Sequence, residues 1–399
     1  MVAGPMTPIA ALVDRLEPDL IALRRDIHRH PDLGFAEHRT ADLVVAAMRS
    51  LGVVVRSEIG GTGILADLVG DAPGPVLLVR AELDALPVSE STGREFASTS
   101  PGRMHACGHD AHIAAVVGTA TVLSELRAGI AGTVRFCFQP AEELLAGAER
   151  MIAGGAMDGV DLVLGAHVLS SVPLGEVVLV PGPFLAGADF FELTVIGRGG
   201  HGGMPHLSVD PVYAAAQVVV GLQSIVARET KPGTPIVVSI NAVQGGSAPN
   251  VVADDIVLRG NVRWFADADR DRVLERIPQI ARAVCEAIRA DVRFEITASA
   301  PVTVNSRSIV EAVADVARTS GVAPVDLGPL TASDDFAQYL ASAPGALIGV
   351  GAGFAGAAPH HHGAFDIDER AIGVMTQLLA RTALRVLSSS AAFTVGAVG

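Results

Sequence analysis

The chain has 399 residues, 29 of them basic and 43 acidic, for a net charge of −14; half of its residues are apolar and 4% aromatic. That length suits about two or three domains, with cores large enough to need no disulfides. Lys231, in the turn-like Thr230-Lys231-Pro232-Gly233, is the sole lysine, which excludes Schiff-base and P-loop lysine chemistry, and an acidic chain without a basic cluster excludes nucleic acid as a partner.

Residues 1–12 carry no basic stretch ahead of their apolar residues, so no signal peptide is expected. Ile9, Leu12, Leu16, Leu20, Leu23 and Ile27 recur at helical spacing, predicting a helix that stops before Pro31. A second helix is expected over 40–50, then strands over 63–69 and 75–80, a helix over 111–126, and strands over 132–139 and 160–168. Short apolar runs such as Val76–Val79 suit strands covered on both faces. Buried strands alternating with helices predict an α/β core with a mainly parallel sheet. The pattern changes near Gly187. Strand 190–197, helix 211–228, strands 236–244 and 256–264, helix 268–290 and strand 292–298 give the order β-α-β-β-α-β of a split βαβ unit. Helices over 308–320 and 334–340 and a strand over 346–350 resume the first pattern. The expected division is therefore a discontinuous domain, 1–186 and 299–399, interrupted by an α+β domain over 187–298. The uncharged run 343–359 is too rich in glycine for a membrane span. Three scattered cysteines, Cys107, Cys137 and Cys285, make no disulfide framework and point to a reducing cytoplasm.

Five segments carry candidate chemistry, and the expected strands bring most of them to strand ends, where α/β sheets place their sites. Asp84, in Arg80-Ala81-Glu82-Leu83-Asp84, follows the strand 75–80; it suits either a carboxylate behind a ligand histidine or a turn acid before Pro87. Met104-His105-Ala106-Cys107-Gly108-His109-Asp110-Ala111-His112 precedes a helix. In an extended loop Cys107 and His109 would point alike, and thiolate with imidazole is good ligation for a borderline metal. Asp110 suits a helix cap, while His105 and His112 fit structural roles as well as functional ones. Gln139-Pro140-Ala141-Glu142-Glu143 follows a buried strand; adjacent carboxylates would diverge, one toward a metal and one toward a water. His167 ends another strand. His360, His361 and His362 form an internal triplet that could add a ligand. Each of these has a bland alternative as a core histidine, a helix-start acid or a buried thiol. Together they supply donors for two divalent ions, a combination that activates water and polarises a carbonyl. Gly351-Ala352-Gly353-Phe354-Ala355-Gly356 spells a dinucleotide fingerprint, but Pro359 and the histidines stand where that motif needs a helix.

These motifs resemble the M20 metallopeptidase family, in its amidohydrolase branch of hippurate, N-acyl-amino-acid and auxin-conjugate hydrolases. The resemblance runs through residues 23–40, 80–87, 104–112, 139–143, 165–168, 197–211, 245–252, 333–336 and 361–369, in order. It implies Cys107, His109, Glu143, His167 and His361 as metal ligands, with His360 and His362 as fallbacks for His361. It implies Glu142 as general base, Asp84 as the acid orienting a ligand histidine, and His201 as an oxyanion donor contributed by a partner subunit. Asn250 and Arg263 become substrate-binding positions, Arg263 for a substrate carboxylate or else a plain strand arginine. Two divalent ions are implied, Mn or Zn with Co or Ni as further candidates. The expected reaction is hydrolysis of an N-acyl or N-aroyl amino acid, with aminopeptidase or dipeptidase activity as the alternative. No membrane partner is expected, and the inserted domain implies a homodimer or a higher oligomer. A metal-binding scaffold with a degraded site is disfavoured because all five ligand positions and Glu142 are kept. Glu82 and Asp334 depart from the family's usual Asp and Glu, and Leu144-Leu145 replaces a glycine-rich stretch.

Overall fold

The computed structural model describes residues 6–388. The start of the segment read against a signal peptide, residues 1–5, lies outside these. Over the described residues the chain forms two compact units: residues 6–184, 303–328 and 334–388 make the first, and 185–302 with 329–333 the second. Residues 329–333, expected with the flanking domain, thus go with the inserted one.

In the first segment lie α1 (Met6–Arg29), α2 (His38–Ser50), β1 (Val54–Ile59), β2 (Gly63–Val69), β3 (Ala72–Glu82), α3 (His109–Glu125), β4 (Ala131–Gln139), α4 (Gly147–Ala153), β5 (Leu162–Pro173), β6 (Glu176–Val178) and β7 (Gly182–Leu185). The insert holds β8 (Gly187–Ile196), β9 (Gly200–His201), α5 (Pro211–Ser224), β10 (Val237–Gln244), β11 (Val251–Val252), β12 (Asp255–Trp264), α6 (Asp267–Ile288) and β13 (Asp291–Ala300). The chain returns through β14 (Thr303–Asn305), α7 (Arg307–Thr319), β15 (Ala323–Val325), α8 (Ala337–Leu340), β16 (Gly345–Gly353) and α9 (Arg370–Ser388). The sequence reading omits α9, although Ile372, Met375, Leu379 and Val386, all buried, repeat at helical spacing.

The first unit is an eight-stranded sheet in the order β1-β2-β4-β3-β5-β16-β6-β15. Its centre is parallel: β4 with β3, β3 with β5 and β5 with β16. The central strands are buried on both faces, as their apolar runs require. The inserted unit's four-stranded sheet, β10-β12-β8-β13, is antiparallel throughout, and α5 and α6 pack on it through Val218, Leu222, Val273 and Ile277. This is the split βαβ order.

Beneath the C-terminal edge of the central strands lies a fully buried guanidinium. Arg80 Nε donates to Gln139 Oε1 at 3.0 Å, and Nη2 donates to Asp334 Oδ1 and Asp335 Oδ1, both at 2.9 Å. Nη1 donates to Glu82 Oε1 and to Asp334 Oδ2. Glu82, at the end of β3, accepts from His112 Nδ1 at 2.8 Å, and His112 Nε2 accepts the backbone N–H of Val168 at 2.9 Å. The shorter Asp334 still reaches Arg80. Burial raises Asp335 to about 7 against the pull of Arg80, so its carboxylate depends on that cation.

Close approach fixes two glycines. A Cβ on Gly147 would lie 1.6 Å from the Pro140 carbonyl oxygen, and one on Gly108, at φ 90°, would lie 2.4 Å from Val168 Cγ2. Gly147→Ala should therefore destabilise the protein by about 3 kcal/mol. Arg80→Met, which strands three buried carboxylates, should cost about 3–5 kcal/mol. Urea unfolding followed by circular dichroism measures both; a loss below about 1 kcal/mol for Arg80→Met would remove the network's stabilising role.

Candidate metal centre

Glu142–Leu144 form one 3₁₀ turn at the end of β4, flanked by Ala141 and Leu145, both left-handed at φ 50° and 51°. Non-glycine residues adopt that conformation at a cost and persist in it where the surroundings over-determine them. Here the surroundings are two buried carboxylates. Glu37 Oε1 accepts the Ala141 N–H at 2.8 Å, while Asp84 Oδ1 and Oδ2 accept the N–H groups of Glu142 and Glu143 at 3.1 and 3.0 Å. Asp84 thus spends its carboxylate on the turn that carries both glutamates. Its backbone carbonyl, rather than that carboxylate, accepts the closer bond from His109: Nδ1 lies 2.8 Å from Asp84 O and 3.5 Å from Oδ1.

Gly108 turns left-handed between Cys107 and His109, so the expected extended loop is a tight turn. It still leaves the two side chains converging. Sγ of Cys107, a side-chain nitrogen of His109 and a carboxylate oxygen of Glu143 lie within 4.8 Å of one another. Cys107 Sγ is 3.4 Å from His167 Nε2, and Glu143 Oε1 is 3.4 Å from His361 Nε2. The adjacent glutamates do not diverge as expected: Glu142 Oε2 and Glu143 Oε1 each lie 3.9 Å from His109 Nε2.

Main-chain carbonyls fix the imidazoles. His109 Nδ1 donates to Asp84 O, and His167 Nδ1 donates to Val168 O at 2.7 Å, which leaves both Nε2 atoms facing the cluster. His360 Nε2 donates to Val168 O at 3.0 Å, and His362 Nδ1 accepts the Ala364 N–H at 3.0 Å. Of the triplet, it is His361, at φ 63°, whose nitrogen faces Glu143. His112 and Glu82 belong to a second donor group with His109 and His167, but their own bonds to each other, to Arg80 and to Val168 engage them.

The electrostatics favour a cation. Burial works against it, yet the carboxylates of Glu82, Asp84 and Glu143 lift His109 to about 10. Burial, with Asp334, Glu143 and Asp335 nearby, pushes Glu142 well above the usual carboxylate range, and burial with Glu143 and Glu142 does the same to the Cys107 thiol. Burial and the neighbouring His112 and His360 hold His167 well below its ordinary value. His109 Nε2 and Glu143 Oε1 are buried without a hydrogen-bond partner. Orphaned donor atoms, a thiol, imidazoles and carboxylates together fit a divalent metal.

His201, Asn250 and Arg263 lie in the inserted unit. His201 pairs with Val251 across β9 and β11, beside Asn250, whose carbonyl accepts the Gly202 N–H at 2.8 Å. Arg263 donates to Ser333 Oγ and stacks 5.5 Å from the Phe190 ring centroid. The sequence reading missed Glu37, the second acid that pins the turn; its signal was an acid between two predicted helices.

Residues 78–385 match the model of peptidase family M20/M25/M40. An N-acetyl-L-cysteine deacetylase of Bacillus subtilis (strain 168) is 36% identical over 375 residues, which cover 94% of this chain and 90% of that one. An N-acyl-L-amino acid amidohydrolase of Geobacillus stearothermophilus is 44% identical over 287 residues, 72% of this chain and 78% of the relative. The crystal structure of a dinuclear metal-binding M20 peptidase of Bacillus subtilis superposes with a TM-score of 0.78 at 34% identity, covering 94% of this chain and 99% of the other. Donor cluster, sheet and sequence agree: the chain belongs to peptidase family M20/M25/M40, in its amidohydrolase branch, and is a hydrolase of amide bonds.

Proposed function

We propose that the protein is a dinuclear-metal amidohydrolase that cleaves N-acyl or N-aroyl amino acids to a carboxylic acid and an amino acid. The observation that carries this is the placing of Glu142 beside a convergent set of orphaned donors, 3.9 Å from His109 Nε2. In this reading Cys107, His109, Glu143, His167 and His361 hold two divalent ions, zinc or manganese by the character of the donors. Bound there, the ions polarise the scissile carbonyl and acidify a water.

Glu142 takes the water's proton on its carboxylate and returns it to the leaving nitrogen as the C–N bond breaks. Its carboxyl is buried among other carboxylates, a setting in which it accepts a proton readily. Asp84 keeps the base in place by holding the N–H groups of Glu142 and Glu143. His201 donates to the oxygen that gains charge, Arg263 pairs with the substrate carboxylate, and Asn250 completes the substrate contacts.

A homodimer through the inserted unit is part of this proposal. Val212, Tyr213 and Val220 on α5 are 52%, 56% and 67% exposed, an apolar stripe that suits pairing with a second copy. Among the described residues no helix is long and apolar enough to cross a membrane, and the three cysteines are free thiols. The free thiols support the cytoplasmic setting we propose.

Glu142→Gln should lower kcat on N-acetyl and N-benzoyl amino acids by about 10²–10⁴-fold, with metal content by plasma emission unchanged. Retained turnover would remove Glu142 as the base. Dialysis against a chelator should abolish turnover, and Mn²⁺ or Zn²⁺ should restore it. Faster cleavage of free dipeptides than of N-acyl amino acids would move the assignment to the dipeptidase alternative.

A further inference from the structure

Outside the donor cluster, two basic residues one turn apart on α1 grip one carboxylate oxygen. Arg24 Nε and His28 Nδ1 both donate to Asp110 Oδ2 at 2.8 Å. All three side chains are buried, at no more than 1% exposure. Charged groups this deep are costly unless paired. Asp110 does not cap α3, the role its position suggests. It stands in the first turn of that helix, directly after His109, and its carboxylate reaches back to α1.

The same guanidinium reaches a second loop. Arg24 Nη1 donates to Glu369 Oε1 at 3.0 Å, and Nη2 lies 3.6 Å from Asp366 Oδ1. Both acids follow His361, in the segment leading into α9. The two loops also meet directly, where the His361 N–H donates to Ala106 O at 2.8 Å. One buried side chain that touches none of the five donors therefore holds the loop of Cys107 and His109 and the loop of His361.

We propose that Arg24 is a positioning residue for the metal centre, fixing the separation of the two loops that carry His109 and His361. This rests on the reading of Cys107, His109, Glu143, His167 and His361 as the metal donors. The requirement for arginine is geometric. A planar fork with five N–H donors serves three carboxylates in different directions, whereas a lysine ammonium is a single point charge. Partners behind a ligand commonly change metal affinity by about 10–100-fold.

The test uses the full-length protein and Zn²⁺, with affinity read by competition against a chromophoric chelator and stability by the melting temperature of the metal-free form. Arg24→Lys should weaken Zn²⁺ binding about 10–100-fold. Glu369→Gln, which weakens the tie of Arg24 to the His361 loop along with the Arg25 ion pair and leaves Asp110 untouched, should weaken it in the same direction and keeps the proposal testable if Arg24→Lys folds poorly. The control is Arg135→Met, which breaks the ion pair with Asp67 in the same unit; it should lower the melting temperature and leave Zn²⁺ affinity unchanged. Wild-type affinity in both Arg24→Lys and Glu369→Gln would overturn the proposal. So would an equal loss of affinity in Arg135→Met, which would trace the effect to stability alone. If the wild-type protein itself binds neither Zn²⁺ nor Mn²⁺, the donor reading fails, and the positioning role with it.

Discussion

The first unit is organised around a positive charge with no access to water. Arg80 is 1% exposed and is held by Glu82, Asp334 and Asp335. Five elements depend on it, β3, β4, β5, α4 and α8. Glu82 closes β3 and, through His112, binds the backbone at Val168 in β5. Asp335 accepts from Gln139 at the end of β4, at 2.7 Å, and from the N–H of Ala148 in α4, at 2.9 Å. Asp334 accepts the Phe336 N–H ahead of α8. Because these bonds are charge-assisted and dry, a shift in one strand end changes the solvation of all the others.

Above that layer the donors are aimed mostly by the main chain. Carbonyls of Asp84 and Val168 select the tautomers of His109 and His167, and carboxylates of Glu37 and Asp84 hold a turn whose flanking residues are left-handed. Backbone groups at strand ends move less than long side chains, so they make a rigid frame for donors. The conformational cost at Ala141, Leu145 and His361 is met by hydrogen bonds that form only when the sheet is assembled.

Much of this was legible in the sequence because it is carried by patterns local in the chain. Apolar runs marked the central strands, and the order β-α-β-β-α-β marked the insert. The placing of Asp84, Glu142 and His167 just past apolar runs is enough to bring them to one sheet edge. The rest depends on directions that spacing does not encode. The Asp84 carboxylate binds two amides because the turn after β4 presents them, and the two glutamates converge on His109 because both sit in one 3₁₀ turn. Residues 329–333, which come after α7 and β15, return to that unit with no local pattern to mark them. Arg24 was hidden in the regular apolar spacing of α1; a buried arginine looks like a surface one until its three acids, from two distant segments, are brought to it.

The pairing of β5 with β16 also constrains how the molecule is made. These neighbours run parallel through the middle of the sheet, yet one ends at Pro173 and the other begins at Gly345. During synthesis from the N-terminus, the strand bearing His167 is complete long before its partner exists, and its edge stays open while the whole inserted unit emerges. The insert has its own sheet and core, so it can fold as a unit within that interval. A folded insert also shortens the flexible loop that β16 must close. The centre that joins His109 to His361 therefore assembles only after the insert has been made, and a nascent chain stopped before Gly345 holds His167 on a strand whose β16 edge is unpaired.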